Sequence, residues 1–249
     1  MPKDIVVVTA YWRHLYVKQC LETLADCLGI ENKEVWVFQD DRACLSPFRR
    51  SLHTETTRQI IESGKYSRFV RRAPHDYDTS GQGPNHPCSF NVFSALQEAY
   101  AANAEFVYLV ADDILVTPDF FKWSEEVHHD GDYFSTVAER VYNDLIQEPK
   151  PFDLSAYYQA PTSLMDAGMC WRREKLNLLL ADGQVRDHRF PPNLTEKEFR
   201  PMIPFVQRAY HIGEMSTHIA GDKLHGRGDC DAIPKTMPQY KWDKVYRVE

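Results

Sequence analysis

The chain has 249 residues, of which 43% are hydrophobic and 26% are charged, and its formal net charge is −7. This length and apolar content are enough for a sizeable hydrophobic core, so we expect one large domain or two closely packed ones. The composition excludes a disordered or membrane-spanning chain, and the acidic balance argues against a dedicated nucleic-acid-binding domain, since such domains are usually basic.

Apolar runs rich in β-branched residues alternate with segments of helical periodicity in the first half of the chain. This alternation predicts an α/β fold with a mainly parallel sheet flanked by helices. The predicted strands span residues 5–9, 34–38, 68–71 and 106–110, and the predicted helices span residues 15–28, 54–63 and 89–102. The first helix carries apolar residues at helical spacing, which we expect on its buried face. They are Val17, Leu21, Leu24 and Leu28.

The second half opens on a helix-start signal. Thr117, Pro118 and Asp119 supply a capping hydroxyl, a proline suited to the first helical position and an acid for the first turn. The elements predicted beyond this point are helices over 118–127 and 173–180, a strand around His211, and either a helix over 133–146 or a strand over 134–138. We treat residues 1–117 and 118–249 as the two halves of one compact domain.

The cysteines are scattered and include no C-x-x-C pair, so we expect them to be reduced and structural. They are Cys20, Cys27, Cys44, Cys88, Cys170 and Cys230. The first apolar run begins at Ile5, which leaves no room for a signal peptide. These features predict a cytoplasmic protein.

Two adjacent acids, Asp112 and Asp113, follow the apolar strand over 106–110. Acids at the end of a buried strand are unfavourable unless something compensates their charge, and a divalent cation would do so. The carboxyl ends of parallel strands are also where ligands bind. Since neighbours on an extended strand point to opposite faces, we expect Asp113 to bind Mn²⁺ or Mg²⁺ and Asp112 to accept hydrogen bonds from sugar or ribose hydroxyls. The alternative is a pair of turn acids at a loop entrance.

Residues 111–121 read ADDILVTPDFF. This segment resembles the acidic triplet and the following Pro-Asp-Phe-Phe helix start of the GT-A fold glycosyltransferases, most closely the β-1,2-N-acetylglucosaminyltransferases of the N-glycan and O-mannose pathways. Further matches follow in the same order from about residue 5 to residue 226. The resemblance implies a GT-A fold in which residues 1–117 bind a nucleotide sugar and residues 118–249 bind the acceptor.

The resemblance also assigns donor-binding residues. The turn with Thr9, Ala10 and Arg13 is similar to the family's first nucleotide-binding loop, whose arginine faces the diphosphate. Asp40 matches the aspartate that reads the uracil edge, and Asn91 matches a nucleotide contact. Considered singly, Arg13 fits an exposed cation at a helix start better, and Asp40 fits a turn acid better. The shared order of the matches is what favours the family's roles.

The acceptor side is matched by fewer residues. Trp171 lies in a segment similar to the family's Gly-x-Gly-Trp turn, although a lone tryptophan is more often part of a core. The resemblance implies an inverting displacement with one carboxylate as general base. The candidates are Glu198, then Glu196, then Asp187; Glu196 and Glu198 also fit a charged helix start after Thr195.

The resemblance as a whole implies a metal-dependent, inverting glycosyltransferase with a UDP-sugar as donor. The first acid of the family's triplet is Ala111 here, which leaves the transferred sugar open between a hexose and an N-acetylhexosamine. The acceptor is a saccharide or a hydroxymethylated base in viral DNA, for which a few arginines would contact phosphates. These are Arg49, Arg50, Arg68, Arg71 and Arg72.

Two other functional classes remain open from the sequence. One is a catalytically inactive module that binds a sugar or nucleotide sugar. The other is a sugar-phosphate nucleotidyltransferase, which is disfavoured because no glycine-rich phosphate loop follows the first strand. Because the chain has no membrane anchor, unlike the family it resembles, we expect it in the cytoplasm of a bacterial or virus-infected cell.

Overall fold

The computed structural model describes residues 4–11, 13–39, 47–63, 69–72, 86–138, 157–159, 168–181, 201–204 and 208–211. The strands in these ranges are β1 (Asp4–Ala10), β2 (Lys33–Gln39), β3 (Phe69–Arg72), β4 (Phe106–Ala111), β5 (Ile114–Val116), β6 (Thr136–Val137), β7 (Tyr157–Gln159), β8 (Met169–Arg172), β9 (Met202–Pro204) and β10 (Ala209–His211). The helices are α1 (His14–Ala25), α2 (Pro47–Ile61), α3 (His86–Ala101), α4 (Phe120–Asp130) and α5 (Arg173–Leu180).

Eight of these strands form one sheet in the order β3-β2-β1-β4-β8-β6-β9-β7. The pairs β2–β3, β1–β2 and β1–β4 are parallel, as is β6–β9. The pairs β4–β8, β6–β8 and β7–β9 are antiparallel. Strands β5 and β10 form a separate antiparallel pair. The predicted α/β fold with a mostly parallel central sheet is confirmed.

The central strands are apolar on both faces because helices cover both. Along β1, Val6 and Val8 pack in one apolar cluster with α1, whereas Ile5 and Val7 pack in a second cluster with α3 and α5. Strands buried in this way have continuous apolar sequences instead of alternating ones. The unbroken apolar runs of β1 and β4 are therefore explained by their central position in the sheet.

The prediction for the end of α1 is wrong at one residue. Val17, Leu21 and Leu24 are fully buried as expected, but Leu28 is 59% exposed. The helix ends at Ala25, three residues before Leu28, and the chain then turns through Gly29 with a φ of 84°. Leu28 therefore no longer follows the helical spacing that would place it over the core.

The second half of the chain extends the same sheet. Strand β8 pairs with β4, so strands from both halves are joined directly by hydrogen bonds. The segment predicted as either a helix over 133–146 or a strand over 134–138 contains the short strand Thr136–Val137. Residues 139–146 lie outside the described part. Helix α4 begins at Phe120, two residues later than predicted, and Thr117 Oγ1 donates to Asp119 Oδ1 at 2.6 Å. The functional division at residue 117 stays a prediction.

Candidate functional site

The candidate site lies where β1 and β4 end side by side. The order β3-β2-β1-β4 means that the chain runs outward from β1 in one direction through β2 and β3, and then places β4 on the other side of β1. In open α/β sheets, the crevice at such a reversal of strand order binds ligands at the carboxyl ends of the strands. Tyr11 and Arg13 follow β1 and contact Asp112 and Asp113, which follow β4.

The two acids occupy the turn between β4 and β5. The amide of Asp112 donates to the carbonyl of Thr9 at 3.0 Å, which extends the pairing of β1 and β4 by one more bond. Because both acids lie in a turn, their side chains need not point in opposite directions as neighbours on an extended strand do. The expectation that their side chains would point apart is wrong, since both contact Arg13.

One guanidinium holds both carboxylates. Arg13 Nη1 donates to Asp113 Oδ2 at 2.9 Å, Nε donates to Asp112 Oδ2 at 3.4 Å, and Nη2 is bonded to Asp112 Oδ1. The amide of Tyr11 adds a bond to Asp112 Oδ2 at 3.2 Å. A planar guanidinium presents several N–H groups in a fixed fork, so it can bridge two carboxylates where an ammonium could not.

These three charges are almost completely shielded from water. Arg13 is 4% exposed, Asp112 0% and Asp113 6%, so the exposed cation considered from the sequence is not what the structure shows. Burial is the largest influence on Asp112 and raises its pKa, the charge of Asp113 adds to this, and Arg13 opposes it. Burial by itself would lower the pKa of Arg13, but the two carboxylates outweigh it and raise that pKa.

The rest of the predicted loop supports this cluster. Thr9 and Ala10 are buried at the end of β1, paired in register with Ala111 of β4 and Gln39 of β2. Thr9 contributes through its backbone, since its carbonyl accepts the hydrogen bond from the amide of Asp112. Cys20 of α1 contacts the last residue of β4, since its Sγ donates to the carbonyl of Ala111 at 3.5 Å.

Asn91 reaches the same edge of the sheet from α3. Its side chain is fully buried, and Nδ2 donates to the carbonyl of Phe38 at 3.3 Å, near the end of β2. Its Oδ1 has no hydrogen-bond partner among the described residues. A buried acceptor without a partner is unfavourable by roughly 1–3 kcal/mol, so this oxygen is a candidate contact for a bound ligand. The predicted nucleotide contact at Asn91 stays a prediction.

Trp171 lies away from the site. It is fully buried in β8 and packs in the apolar cluster that includes Leu176 and Leu179 of α5. A side chain without exposed surface offers no platform to an acceptor sugar, so the structure favours the core alternative. Asp40 and the candidate bases Glu198, Glu196 and Asp187 lie outside the described residues.

Asp112 and Asp113 have the chemistry that a divalent cation requires. Mg²⁺ in phosphate-binding sites takes one or two carboxylates and completes its shell with phosphate oxygens and water. In the described part of the chain, no three His, Cys, Asp or Glu side chains gather into a possible metal site. The acid pair therefore fits a metal held jointly with a diphosphate, and its present partner is Arg13.

Tyr16 and the backbone of Tyr11 are part of the site, although the sequence analysis did not identify them. The Arg13 guanidinium carbon lies 5.3 Å from the centroid of the Tyr16 ring, and the amide of Tyr11 bonds to Asp112. An arginine three residues before an aromatic residue at a helix start is a recognisable signal for the first contact. The backbone bond depends on the turn and leaves no signal in the sequence.

Comparison with known proteins gives matches in structure only. No family model matches the chain, and no curated protein matches it in sequence. A mannosyltransferase from Pyrobaculum calidifontis, PcManGT, solved with GDP-Man and Mn²⁺, superposes with a TM-score of 0.50 at 16% identity, over 87% of this chain and 59% of PcManGT. The chain has a GT-A fold.

Two further solved structures are similar to a lesser degree. S. aureus TarS with UDP-GlcNAc has a TM-score of 0.48 at 18% identity, over 86% of this chain and 59% of the TarS fragment. The galactosyltransferase LgtC with donor and acceptor sugar analogs has a TM-score of 0.39 at 12% identity, over 80% of this chain and 72% of LgtC. The chain thus spans about three fifths of the TarS and PcManGT chains. The finer resemblance to the β-1,2-N-acetylglucosaminyltransferases stays a prediction.

Among the described residues, no helix combines the length and the apolar character that crossing a bilayer demands.

Proposed function

We propose that the chain is a glycosyltransferase that moves a sugar from a nucleoside-diphosphate sugar to an acceptor hydroxyl. The observation that carries this proposal is the cluster of Arg13, Asp112 and Asp113 at the strand-order reversal of a GT-A fold. Arg13 offsets only one of the two buried carboxylate charges, which favours a further cation. PcManGT, the structural neighbour with the same fold, was solved with GDP-Man and Mn²⁺.

The finer assignment is a UDP-sugar donor, a hexose or N-acetylhexosamine as the transferred group, and inversion at the anomeric carbon. It is supported by the sequence resemblance around Asp40 and residues 111–121. A saccharide is the proposed acceptor. Hydroxymethylated DNA has less support, because a net charge of −7 disfavours a polyanionic partner. The side chains of the arginines suggested for phosphate contacts lie outside the described part.

The proposed mechanism uses a divalent cation, Arg13 and one carboxylate. When bound at the pair Asp112 and Asp113, Mn²⁺ or Mg²⁺ would supply a Lewis acid that neutralises charge developing on the leaving nucleoside diphosphate. Arg13 would add a second, protein-borne cation beside the diphosphate, since fixed charges in a water-excluded site stabilise developing charge strongly. Inversion needs only one protein base for the acceptor hydroxyl, for which Glu198, Glu196 and Asp187 are the candidates.

The test is a panel of nucleotide sugars incubated with Mn²⁺, scored for release of the nucleoside diphosphate with and without acceptors. We expect release with a UDP-sugar that increases when a saccharide is added. An inactive sugar-binding module would bind donor without releasing UDP. Release of pyrophosphate from a nucleoside triphosphate and a sugar phosphate would indicate a nucleotidyltransferase.

Asp113→Asn is the variant that tests the acid itself. We expect turnover to fall by about 100-fold or more, because a neutral amide is a far weaker ligand for a hard cation than a carboxylate. Asp26→Asn is the matched control, since Asp26 is exposed at the opposite end of α1. Wild-type turnover and wild-type Mn²⁺ affinity in Asp113→Asn would contradict the proposal.

A further inference from the structure

Arg13 occupies the place between two carboxylates that a divalent cation would need. Its Nη1 contacts Asp113, and its Nε and Nη2 contact Asp112, so both acids already share one cation. The cluster is buried, which leaves little water to take over the role of either partner. A metal and the guanidinium therefore satisfy the same oxygen atoms.

We propose that Arg13 and the divalent cation compete for Asp112 and Asp113, and that Arg13 moves from the acids to the donor diphosphate when metal and donor bind together. This inference rests on the proposed function and adds a form of regulation to the same site. It makes Arg13 the resident counter-ion of the acid pair in the absence of donor. Metal binding and donor binding are then coupled through one side chain.

The charge balance explains the coupling. Arg13 offsets one of the two carboxylate charges, whereas a divalent cation in its place offsets both. The displaced guanidinium loses its contacts with both acids, and a buried charge that loses such partners is strongly unfavourable. A diphosphate supplies an anion in their place, so the metal and the diphosphate each make binding of the other more favourable.

Arg13 is the residue that precedes α1, which begins at His14, and its side chain makes no capping hydrogen bond to that helix. The exchange requires a rotation about the side-chain bonds of Arg13 that releases its contacts with the two acids. The start of a helix also favours a nearby anion, which is the charge that the displaced guanidinium requires.

The first experiment measures Mn²⁺ binding without nucleotide, by the electron paramagnetic resonance signal of free Mn²⁺. We expect Arg13→Met to bind Mn²⁺ about ten-fold more tightly than the wild type or better, because the acids lose their competing cation. Arg13→Lys should fall between them, since it retains the charge and loses the fork. Arg58→Met removes a positive charge from an exposed side chain and should match the wild type.

The second experiment adds UDP and measures the same affinities. In the wild type, UDP should strengthen Mn²⁺ binding by a larger factor than in Arg13→Met, because only the wild type has a guanidinium to relocate. Comparing variants removes the contribution of the Mn²⁺–UDP complex that forms in solution, which is common to all. A folded Arg13→Met protein that binds Mn²⁺ no more tightly than the wild type would overturn the inference.

A measurement on the wild type covers the case in which Arg13→Met does not fold. Phenylglyoxal modifies accessible arginines, and peptide mass spectrometry gives the rate at each position. We expect saturating Mn²⁺ to accelerate modification of Arg13 several-fold and to leave Arg58 unchanged. An unchanged rate at Arg13, with Mn²⁺ shown to be bound, would contradict the inference.

The two proposals fail in different ways. If the wild type transfers sugar with Mn²⁺ but Arg13 neither weakens Mn²⁺ binding nor becomes accessible, only the competition is contradicted. If no form binds Mn²⁺, with or without UDP, both the competition and the metal-dependent mechanism are contradicted. If Mn²⁺ binds Arg13→Met but not the wild type, the competition is supported and the metal dependence of the wild type is contradicted.

Discussion

Arg13, Asp112 and Asp113 are buried together, so the charge of each depends on the other two. Loss of one partner from such a set is unfavourable by roughly 3–5 kcal/mol, because an uncompensated charge stays out of water. The exposed pair Arg58–Glu55 has a shorter contact, 2.6 Å against 2.9 Å for Arg13–Asp113, with side chains 43% and 45% exposed. Its loss should cost much less, because water solvates both groups. The cost of losing one partner therefore depends on burial.

Another buried ionisable residue, His128, lies on α4 away from the candidate site. Its Nε2 donates to the carbonyl of Cys170 at 3.2 Å, and its Nδ1 has no partner within the described residues. Burial is the main cause that lowers the pKa of His128 to about 4 from the usual 6.5. The folded protein thus holds His128 neutral at pH values where the unfolded chain binds a proton.

We predict that His128 destabilises the fold as the pH falls from about 6.5 to 4, since protons bind preferentially to the unfolded chain in that range. At pH 5 the free energy of unfolding should be roughly 2 kcal/mol lower from this group than at neutral pH. His128→Gln retains a donor for the Cys170 carbonyl and should remove this part of the pH dependence. Urea unfolding at several pH values measures it.

His129→Gln is the control for this prediction, because His129 is the next residue and is exposed. The variant should keep the wild-type dependence of stability on pH. Identical pH profiles for the wild type and His128→Gln would show that His128 does not titrate as its burial implies.

The end of helix α1 determines which of its apolar side chains are buried. It buries Val17, Leu21 and Leu24 against β1 and β2, and its first turn carries Tyr16 close to Arg13. After Ala25 the chain turns, and the amide of Leu28 donates to the carbonyl of Pro118 at 2.8 Å. The backbone at Leu28 is therefore tied to the segment before α4, and its side chain is left at the surface.

We predict that truncating Leu24 and Leu28, which share the same helical spacing in the sequence, changes the free energy of unfolding by very different amounts. Leu24→Ala should lower the free energy of unfolding by about 2–5 kcal/mol, because it leaves a cavity in the core. Leu28→Ala should change it by no more than about 0.5 kcal/mol, as is usual at exposed positions. Urea denaturation of both variants measures the difference. Equal losses would mean that Leu28 is buried in solution.

At the scale of the molecule, Gly168 is bonded both to β4 and to the residue that follows β6. The amide of Gly168 donates to the carbonyl of Leu109 in β4 at 3.0 Å, and its carbonyl accepts from the amide of Ala138 at 2.9 Å. Gly168 has a φ of 80°, and a Cβ there would lie 3.0 Å from the Cβ of Ala209 and 3.3 Å from the Cβ of Ala138. A side chain would thus meet both backbone strain and close neighbours.

We predict that Gly168→Ala destabilises the protein more than Gly29→Ala does. Gly29 has a similar φ of 84° but nothing within 4 Å of an added Cβ, so its substitution meets strain alone. That strain is worth about 1–2 kcal/mol, and crowding at Gly168 should add about 1–3 kcal/mol. Thermal unfolding of both variants measures the difference. A Gly29→Ala variant as unstable as Gly168→Ala would show that crowding contributes nothing.

Several features of the fold were predictable from residue pattern. The continuous apolar runs of β1, β2 and β4 indicated buried parallel strands, because only a strand covered on both faces is apolar at every position. The position of Asp112 and Asp113 at the ligand-binding edge followed from the same reasoning, since it requires only that the preceding run be a central strand. Short strands such as β7 and β9 span three residues each, which is too short for any periodicity.

The sequence by itself therefore determined the α/β class and the edge of the sheet at which the acids lie, because both depend on patterns within a few consecutive residues. Only the tertiary structure decided that Arg13 bridges the acids and that Trp171 belongs to the core. Each of these facts joins residues that are distant along the chain, with Arg13 about a hundred positions before the acids it contacts. Such contacts arise from strand pairing and from the conformation of turns, and neither leaves a periodic pattern in the sequence.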